Sequence, residues 1–307
     1  MAAPVISVIV FARNAGATIG RALESVCTPR SEVAEVLVLD GGSTDATLEV
    51  VDKYRAAIAY LRSHPDSGPT EAINEGAEHA RGEVICLLPA DDWLQAGALP
   101  FVAQQFAEDR DLDVLTCGAR IVRTDATGTA DIWAEYRDQA HLGFTLSNIL
   151  RNPLTCARFI RKRVYDKLGG MDNSWTFPDK EFLVRAYLSR VRSKTHGRLV
   201  YNFRRHSGST TNSGRPETTI RMLEHNIRLS RHYLATPGLS SEDRKALLRL
   251  HAGSSARLAL MRGMRGHLAE AGTTLAAAFR ANPAWALDAL AWYYGSAQEK
   301  YRNARSR

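Results

Sequence analysis

Four short runs rich in Val, Ile and Leu punctuate the first third of the chain: "VISVIVFA" from Val5, "VAEVLVLD" from Val33, "IAYLRS" from Ile58 and "EVICLL" from Glu83. Their apolar character is nearly continuous rather than alternating, as expected of parallel strands covered on both faces. Helical patterns lie between them. Ile19, Ala22, Leu23 and Val26 share one helical face, and further helices are expected over 45–54 and 70–80. Such strand–helix alternation predicts an open α/β sheet. Ligands in these sheets bind beyond the carboxyl ends of the strands.

An acid or amide stands just past each of those four ends: Asn14, Asp40, Asp66, and the pair Asp91–Asp92. Turn chemistry explains each one singly, since "DGGSTD" and "HPDSGP" are rich in turn formers. It does not explain why four successive ends carry one. The adjacent acids of "VICLLPADDW" also repel each other unless a cation lies between them or beside them.

From Asp113 the pattern becomes mixed. "DVLTCGARIVRT" reads as a strand that "GTADIWAEYR" pairs with. "LTCARFIRKRVYDKLGG" is a strand entering a short helix that stops at Gly169 and Gly170. "FPDKEFLVRAYLSR" reads as a helix, and "GRLVYNFRRHSGSTTNSG" as a strand followed by a polar loop with the composition of a lid. Beyond Pro216 the pattern is helical, with helices expected over 217–234, 241–262, 264–281 and 284–304. The expected organisation is therefore a domain over 1–215 and a helical extension over 216–307.

Charge divides the chain unevenly. Residues 1–130 carry 10 Lys+Arg against 19 Asp+Glu, and residues 131–307 carry 30 against 14. The basic half either meets something anionic, a membrane surface or a phosphorylated substrate, or is a solvated Arg-rich face. Its basic residues follow no recognised RNA or DNA motif, so nucleic acid is not an expected partner. The four cysteines are widely spaced without a C-x-x-C pair, which favours a reducing, cytoplasmic compartment. The first apolar run lacks a basic flank and reads as a strand rather than a leader. No window reaches 18 uninterrupted apolar residues.

Together, "SVIVFARNAGATIGRALESV", "VLVLDGGSTDATLEVV", "HPDSGPTEAINEGAEHARGEVICLLPADDWL" and "RRHSGSTT" resemble the family 2 glycosyltransferases. The resemblance covers roughly 5–215. Its most specific part is the ordered set Asp66, Gly68, Glu71, Ala72, Asn74 and Gly76, followed by a strand and Asp91-Asp92. It implies the GT-A fold, an α/β architecture with a mostly parallel central sheet, followed here by helices. It implies inverting transfer from a nucleoside-diphosphate sugar, UDP favoured with GDP or dTDP compatible, assisted by Mg²⁺ or Mn²⁺. The acceptor expected is a glycan or a polyprenyl-linked saccharide at the inner face of the cytoplasmic membrane.

The same resemblance implies roles. Asp91 is the expected metal ligand, with Asp92 beside it or behind it, and His206 reaches the metal or pyrophosphate. Asp40 and Asp66 face the nucleoside, with Asn14 and Asn74 also in the donor site. Arg205 and Ser209 help neutralise the leaving group. Asp179 is the expected general base, because Glu181 lies about 200° away on a helix. Two departures stand out: Pro89 where many relatives have a ribose-binding acid, and Arg13 where many have an aromatic. They leave open a second reading, a non-catalytic sugar-nucleotide or glycan-binding module on a degenerate fold. Trp285, Trp292, Tyr293 and Tyr294 either pack on the protein, the favoured reading, or contact an anionic bilayer interface.

Overall fold

The computed structural model describes residues 5–28, 32–124, 130–151, 155–205 and 216–290. The elements run β1 (Ile6–Ala12), α1 (Ile19–Cys27), β2 (Ala34–Asp40), α2 (Thr47–Asp52), β3 (Ile58–Ser63), α3 (Pro69–His79), β4 (Val84–Pro89), β5 (Trp93–Leu94) and α4 (Ala98–Glu108). They continue through β6 (Val114–Thr124), β7 (Ala130–Tyr136), α5 (Gln139–Leu142), α6 (Leu146–Arg151), β8 (Arg158–Arg161), α7 (Lys162–Leu168), α8 (Pro178–Leu188) and β9 (Ser193–Arg205). The helices α9 (Pro216–Leu234), α10 (Ser241–Met264) and α11 (Leu268–Ala281) follow.

The strands form one sheet in the order β3-β2-β1-β4-β8-β6-β9-β5, with β7 pairing on β6. The first four are mutually parallel, in the register Ile6↔Ala34 and Ile6↔Val84. Beyond β4 the sheet is mixed: β8 is antiparallel to β4 and β6, while β6 and β9 run parallel. The chain winds outward from β1 to β3, then crosses to place β4 on the other side of β1. A reversal of this kind is where open α/β sheets bind ligands, here at the carboxyl ends of β1 and β4.

The near-continuous apolar runs are explained by burial on both sides. Val8, Val10, Val36, Val38 and Cys86 share one core with Ile19, Leu23 and Val26 of α1. On the other face α3 lies so close to β1 that a Cβ on Gly76 would stand 2.7 Å from Ile9 Cγ2. The buried Glu35 carboxylate fastens the amino-terminal end of this sheet. It accepts from Ser7 Oγ at 2.7 Å, Arg81 N at 2.6 Å and Arg81 Nε at 2.7 Å.

Most predicted elements form, with boundary differences. The helix expected from 264 starts at Leu268, after a turn closed by Gly266 at φ +83°. The strand expected from Gly197 begins at Ser193, because β6 supplies it with partners from Val114 onward. Residues 285–290 are helical, and the remainder of the last expected helix, with Trp292, Tyr293 and Tyr294, lies outside the described residues. The chain divides into two compact units: one of 1–174 and 178–205, and one of 175–177 and 206–307. In the second, Trp175 packs edge-on to His225 and His232 and lies under the Arg228 guanidinium. No helix among the described residues is long and apolar enough to cross a membrane.

Candidate active site

All the described site candidates belong to the sheet unit; most stand at or just past strand ends, while Asn74 lies on α3 and Asp179 on α8. The loops after β1 and β2 are laced together. Asn14 adopts φ +50°, a left-handed conformation that Asn tolerates better than most residues. Its N–H donates to Ser43 Oγ at 2.7 Å, and its Oδ1 accepts from Thr44 N at 2.9 Å. Ala15 N donates to Thr47 Oγ1 at 2.8 Å, and Gly16 N to Asp45 Oδ2 at 3.0 Å. Asn14 thus links the two loops with its backbone and its amide oxygen. Arg13 beside it is exposed and makes no hydrogen bond or ion pair among the described residues.

Asp40 is fully buried. Its carboxylate accepts from Ser43 N at 3.0 Å, from the Ser43 hydroxyl and from Ser63 Oγ at 2.7 Å. Those contacts make it a turn-forming acid as well as a strand-end acid. Asp66 accepts from Gly68 N at 3.0 Å and pairs with Arg62 Nη1 at 2.9 Å. Arg62 is itself buried and also holds Glu75 at 2.7 Å. The Asp66 carboxylate stands next to Gly41, where a Cβ would meet its oxygens at 3.0 and 3.2 Å.

Asn74 has a structural task. Its Nδ2 donates to Met171 O at 2.8 Å and its Oδ1 accepts from Met171 N at 2.9 Å. Both polar atoms of the amide are therefore engaged by the chain that follows α7. Gly170, at φ +74°, completes this clamp, since a Cβ there would lie 2.8 Å from Asn74 Oδ1.

The acid pair divides its labour. Asp92 is buried, with Oδ2 accepting from Tyr201 Oη at 2.7 Å and Oδ1 from Arg204 N at 2.8 Å. Both partners come from β9, more than a hundred residues away. Burial, then the charge of Asp91, pushes the Asp92 carboxyl up to about 8. Asp91 is half-buried at the turn that leaves β4. Asp92 is thereby held on both carboxylate oxygens by β9, and Asp91 is the more exposed acid of the pair. Next to them Arg21 of α1 lies 3.4 Å over the Trp93 ring. Burial and the nearby charge of Arg204 lower its pKa. The sequence offered no signal for Arg21, because α1 reads only as an apolar face.

Asp179 stands in the first turn of α8, and its Oδ2 accepts from Thr155 Oγ1 at 2.9 Å. Glu181 is turned inward and buried, where Arg185 Nε meets it at 2.8 Å. The same Arg185 donates to the carbonyls of Leu168 at 2.6 Å and Gly170 at 2.7 Å, capping α7. Arg185 therefore tethers Glu181, not Asp179. The Cys156 thiol lies close enough to feel both Asp92 and Asp179, whose charges add to burial in raising its pKa well above the usual range. The short turn Thr155–Ala157 packs against both β4 and α8. Arg205 rests its guanidinium 4.7 Å over Trp133 of β7. His206 and Ser209 lie outside the described residues.

A divalent cation fits this donor set in one particular way. No group of three or more His, Cys, Asp or Glu side chains gathers for a metal among the described residues. A hard cation held by one or two carboxylates, with diphosphate oxygens and water completing its shell, needs no such cage. Of the adjacent acids, Asp91 is the one that keeps partial exposure.

The pattern of glycosyl transferase family 2 matches residues 7–169. This chain belongs to that family. It is 27% identical over 141 residues to the putative glycosyltransferase EpsH of Bacillus subtilis, covering 45% of this chain and 41% of that protein. It is 29% identical over 224 residues to the PGL/p-HBAD biosynthesis glycosyltransferase of Mycobacterium tuberculosis, covering 62% of this chain and 86% of that protein. Among solved structures it resembles the mannosyltransferase PcManGT of Pyrobaculum calidifontis in complex with GDP-Man and Mn²⁺. The TM-score is 0.57 at 20% identity, with 100% of this chain and 83% of that chain covered. It likewise resembles S. aureus TarS 1-349 in complex with UDP-GlcNAc, at TM-score 0.57 and 18% identity, covering 94% and 92%. Those likenesses establish the GT-A-like fold, a curled α/β sheet followed by helices, and the family makes this chain a glycosyltransferase.

Proposed function

We propose that this chain transfers a sugar from a nucleoside-diphosphate sugar to a glycan or polyprenyl-linked saccharide, with inversion and with the help of Mg²⁺ or Mn²⁺. The observation that carries the reading is that the turn of Thr155–Ala157 packs against both β4, whose end leads into Asp91-Asp92, and α8, whose Asp179 accepts from Thr155. An inverting transfer needs those two elements on one site: an anionic anchor for a cation–diphosphate, and a base on the acceptor side. The catalytic domain proposed spans 1–215, and 216–307 is its helical extension.

Asp179 takes the proton from the acceptor hydroxyl as that oxygen bonds to the anomeric carbon. The bond from that carbon to the diphosphate oxygen breaks, and its electron pair leaves with the nucleoside diphosphate. Thr155 holds one oxygen of Asp179, so the acid enters the reaction in a fixed orientation. Asp91 would hold the cation, whose charge makes the diphosphate a better leaving group. Asp92, fixed by Tyr201 and the Arg204 amide, sets where Asp91 stands. Asp40 and Asp66 are assigned to the nucleoside side, and the exposed Arg13 to stacking its planar guanidinium on the base. UDP is the favoured nucleotide. Pro89 supplies no ribose contact from its side chain. Four free cysteines suit a reducing compartment, and the inner face of the cytoplasmic membrane is the location proposed.

The test is a thermal-shift panel of nucleoside diphosphates and sugar nucleotides, with and without Mn²⁺, on the wild type and on Asp91→Ala. Donor stabilises the folded protein in proportion to its occupancy. One nucleotide series should raise the melting temperature only with metal, and Asp91→Ala should lose that dependence. Equal shifts without metal, or an unchanged Asp91→Ala response, would reject the metal-assisted reading.

A further inference from the structure

The helical unit contains a cavity of about 980 Å³ that the donor site does not use. It opens between α9, α10 and α11, and every residue lining it belongs to that unit. Its walls carry four guanidiniums, from Arg228 and Arg231 on α9, Arg262 on α10 and Arg280 on α11, against one carboxylate, Glu224. That carboxylate is already taken: Arg262 Nη2 donates to Glu224 Oε1 at 2.8 Å, and Nη1 to Thr274 Oγ1 at 2.8 Å. Arg231 and Arg280 form no ion pair among the described residues, and Glu224 is the one carboxylate among the residues lining the cavity. Gathering like charges around a concave surface focuses the field and favours an anion there.

A second observation points the same way. His251 is buried in the cavity wall, at 2% exposure. Its Nδ1 lies 3.2 Å from Ser230 Oγ, while its Nε2 has no hydrogen-bond partner among the described residues. A buried polar atom of this kind calls for a ligand that completes it. Leu260, Met264, Leu268 and Phe279, on α10 and α11, are each more than half exposed. A basic cavity on helices that also show apolar side chains to solvent matches the chemistry of a lipid phosphate at a bilayer surface.

We infer that the α9–α11 cavity binds a phosphate-bearing head group, with a membrane lipid as its source. Arginine is suited to this, because its fork of donors matches phosphate oxygens two at a time. The inference stands independently of the donor site.

The experiment uses the full chain and two probes. Inorganic pyrophosphate is titrated calorimetrically, and phosphatidylcholine vesicles with and without phosphatidic acid are used in co-sedimentation. The double variant Arg231→Ala/Arg280→Ala changes two exposed side chains and should fold normally. It should bind both probes at least tenfold more weakly, while its thermal shift with UDP and Mn²⁺ matches the wild type. Hydrogen exchange with pyrophosphate added should show protection confined to α9–α11. Vesicle binding that requires phosphatidic acid and is displaced by pyrophosphate supports the lipid source. Binding of pyrophosphate without any vesicle binding overturns that source. Absence of binding by both probes, binding that survives the double substitution, or binding abolished equally by sodium chloride of matched ionic strength overturns the site itself.

Discussion

Asn74→Ala separates a structural amide from a nucleotide-binding one. In the structure the substitution deletes two hydrogen bonds, at 2.8 and 2.9 Å, to the two backbone polar groups of Met171, a residue 3% exposed. Each such bond contributes on the order of 1 kcal/mol net, and a buried group left unmade costs more. The expected loss is therefore about 2 kcal/mol. For a unit of this size that corresponds to a fall in melting temperature of roughly 4–8 °C. The urea midpoint should fall as well, with an unchanged slope. Calorimetric titration of UDP with Mn²⁺ at a temperature where both proteins are folded should give affinities within about threefold of each other, about 0.7 kcal/mol. A wild-type melting temperature together with a tenfold loss of UDP affinity would refute the assignment and return Asn74 to the donor site.

Asp179→Asn should lower kcat by about 10²–10⁴, the usual worth of a positioned base, with UDP affinity within a few-fold of wild type. A collapse of donor binding instead would show that the acid belongs to the donor side. Asp92 gives a pH signature in metal-free protein. Its carboxyl is raised from about 3.8 unfolded to about 8 folded, so the folded state holds that proton more tightly. The stabilisation is complete below the unfolded value and is lost as pH rises through the folded one. Urea midpoints should accordingly decline between about pH 4 and pH 8, and Asp92→Asn should flatten that decline; parallel profiles would contradict it.

The four strand ends were legible because each lies at the close of a local apolar run, and a helical pattern between successive runs supplies the crossover that parallel strands require. The partners of the site acids were not. Nothing near Asp92 in sequence announces Tyr201 or Arg204, and nothing near Asn74 announces Met171, 97 residues away. Within the motif running from Asp66 to Gly76, several positions turn out to hold the scaffold. Gly68 takes φ +130° before α3, Asn74 clamps the end of α7, and Gly76 lets α3 close on Ile9. A motif reads as function when its spacing is seen, and as packing when its contacts are seen. Arg185 shows the same limit, since only the structure distinguishes Glu181 from Asp179 as its partner. The helix α4 was missed because its exposed stripe, Pro100, Gln104, Ala107 and Glu108, includes a proline and an alanine and so carries little polar signal.

The clasp of β9 on Asp92 also bears on the order in which the protein becomes competent. The pairs β1–β2 and β2–β3 join segments much nearer in sequence than β6 and β9, so they need less loop closure. Asp92 obtains Tyr201 and the Arg204 amide only after β9 has been synthesised and inserted beside β6. A ribosome-bound chain stopped before Tyr201 would thus carry both acids at the end of β4 without the strand that sets them. Catalytic readiness on this chain arrives with the last strand of the sheet, so incomplete products would lack the assembled acid pair.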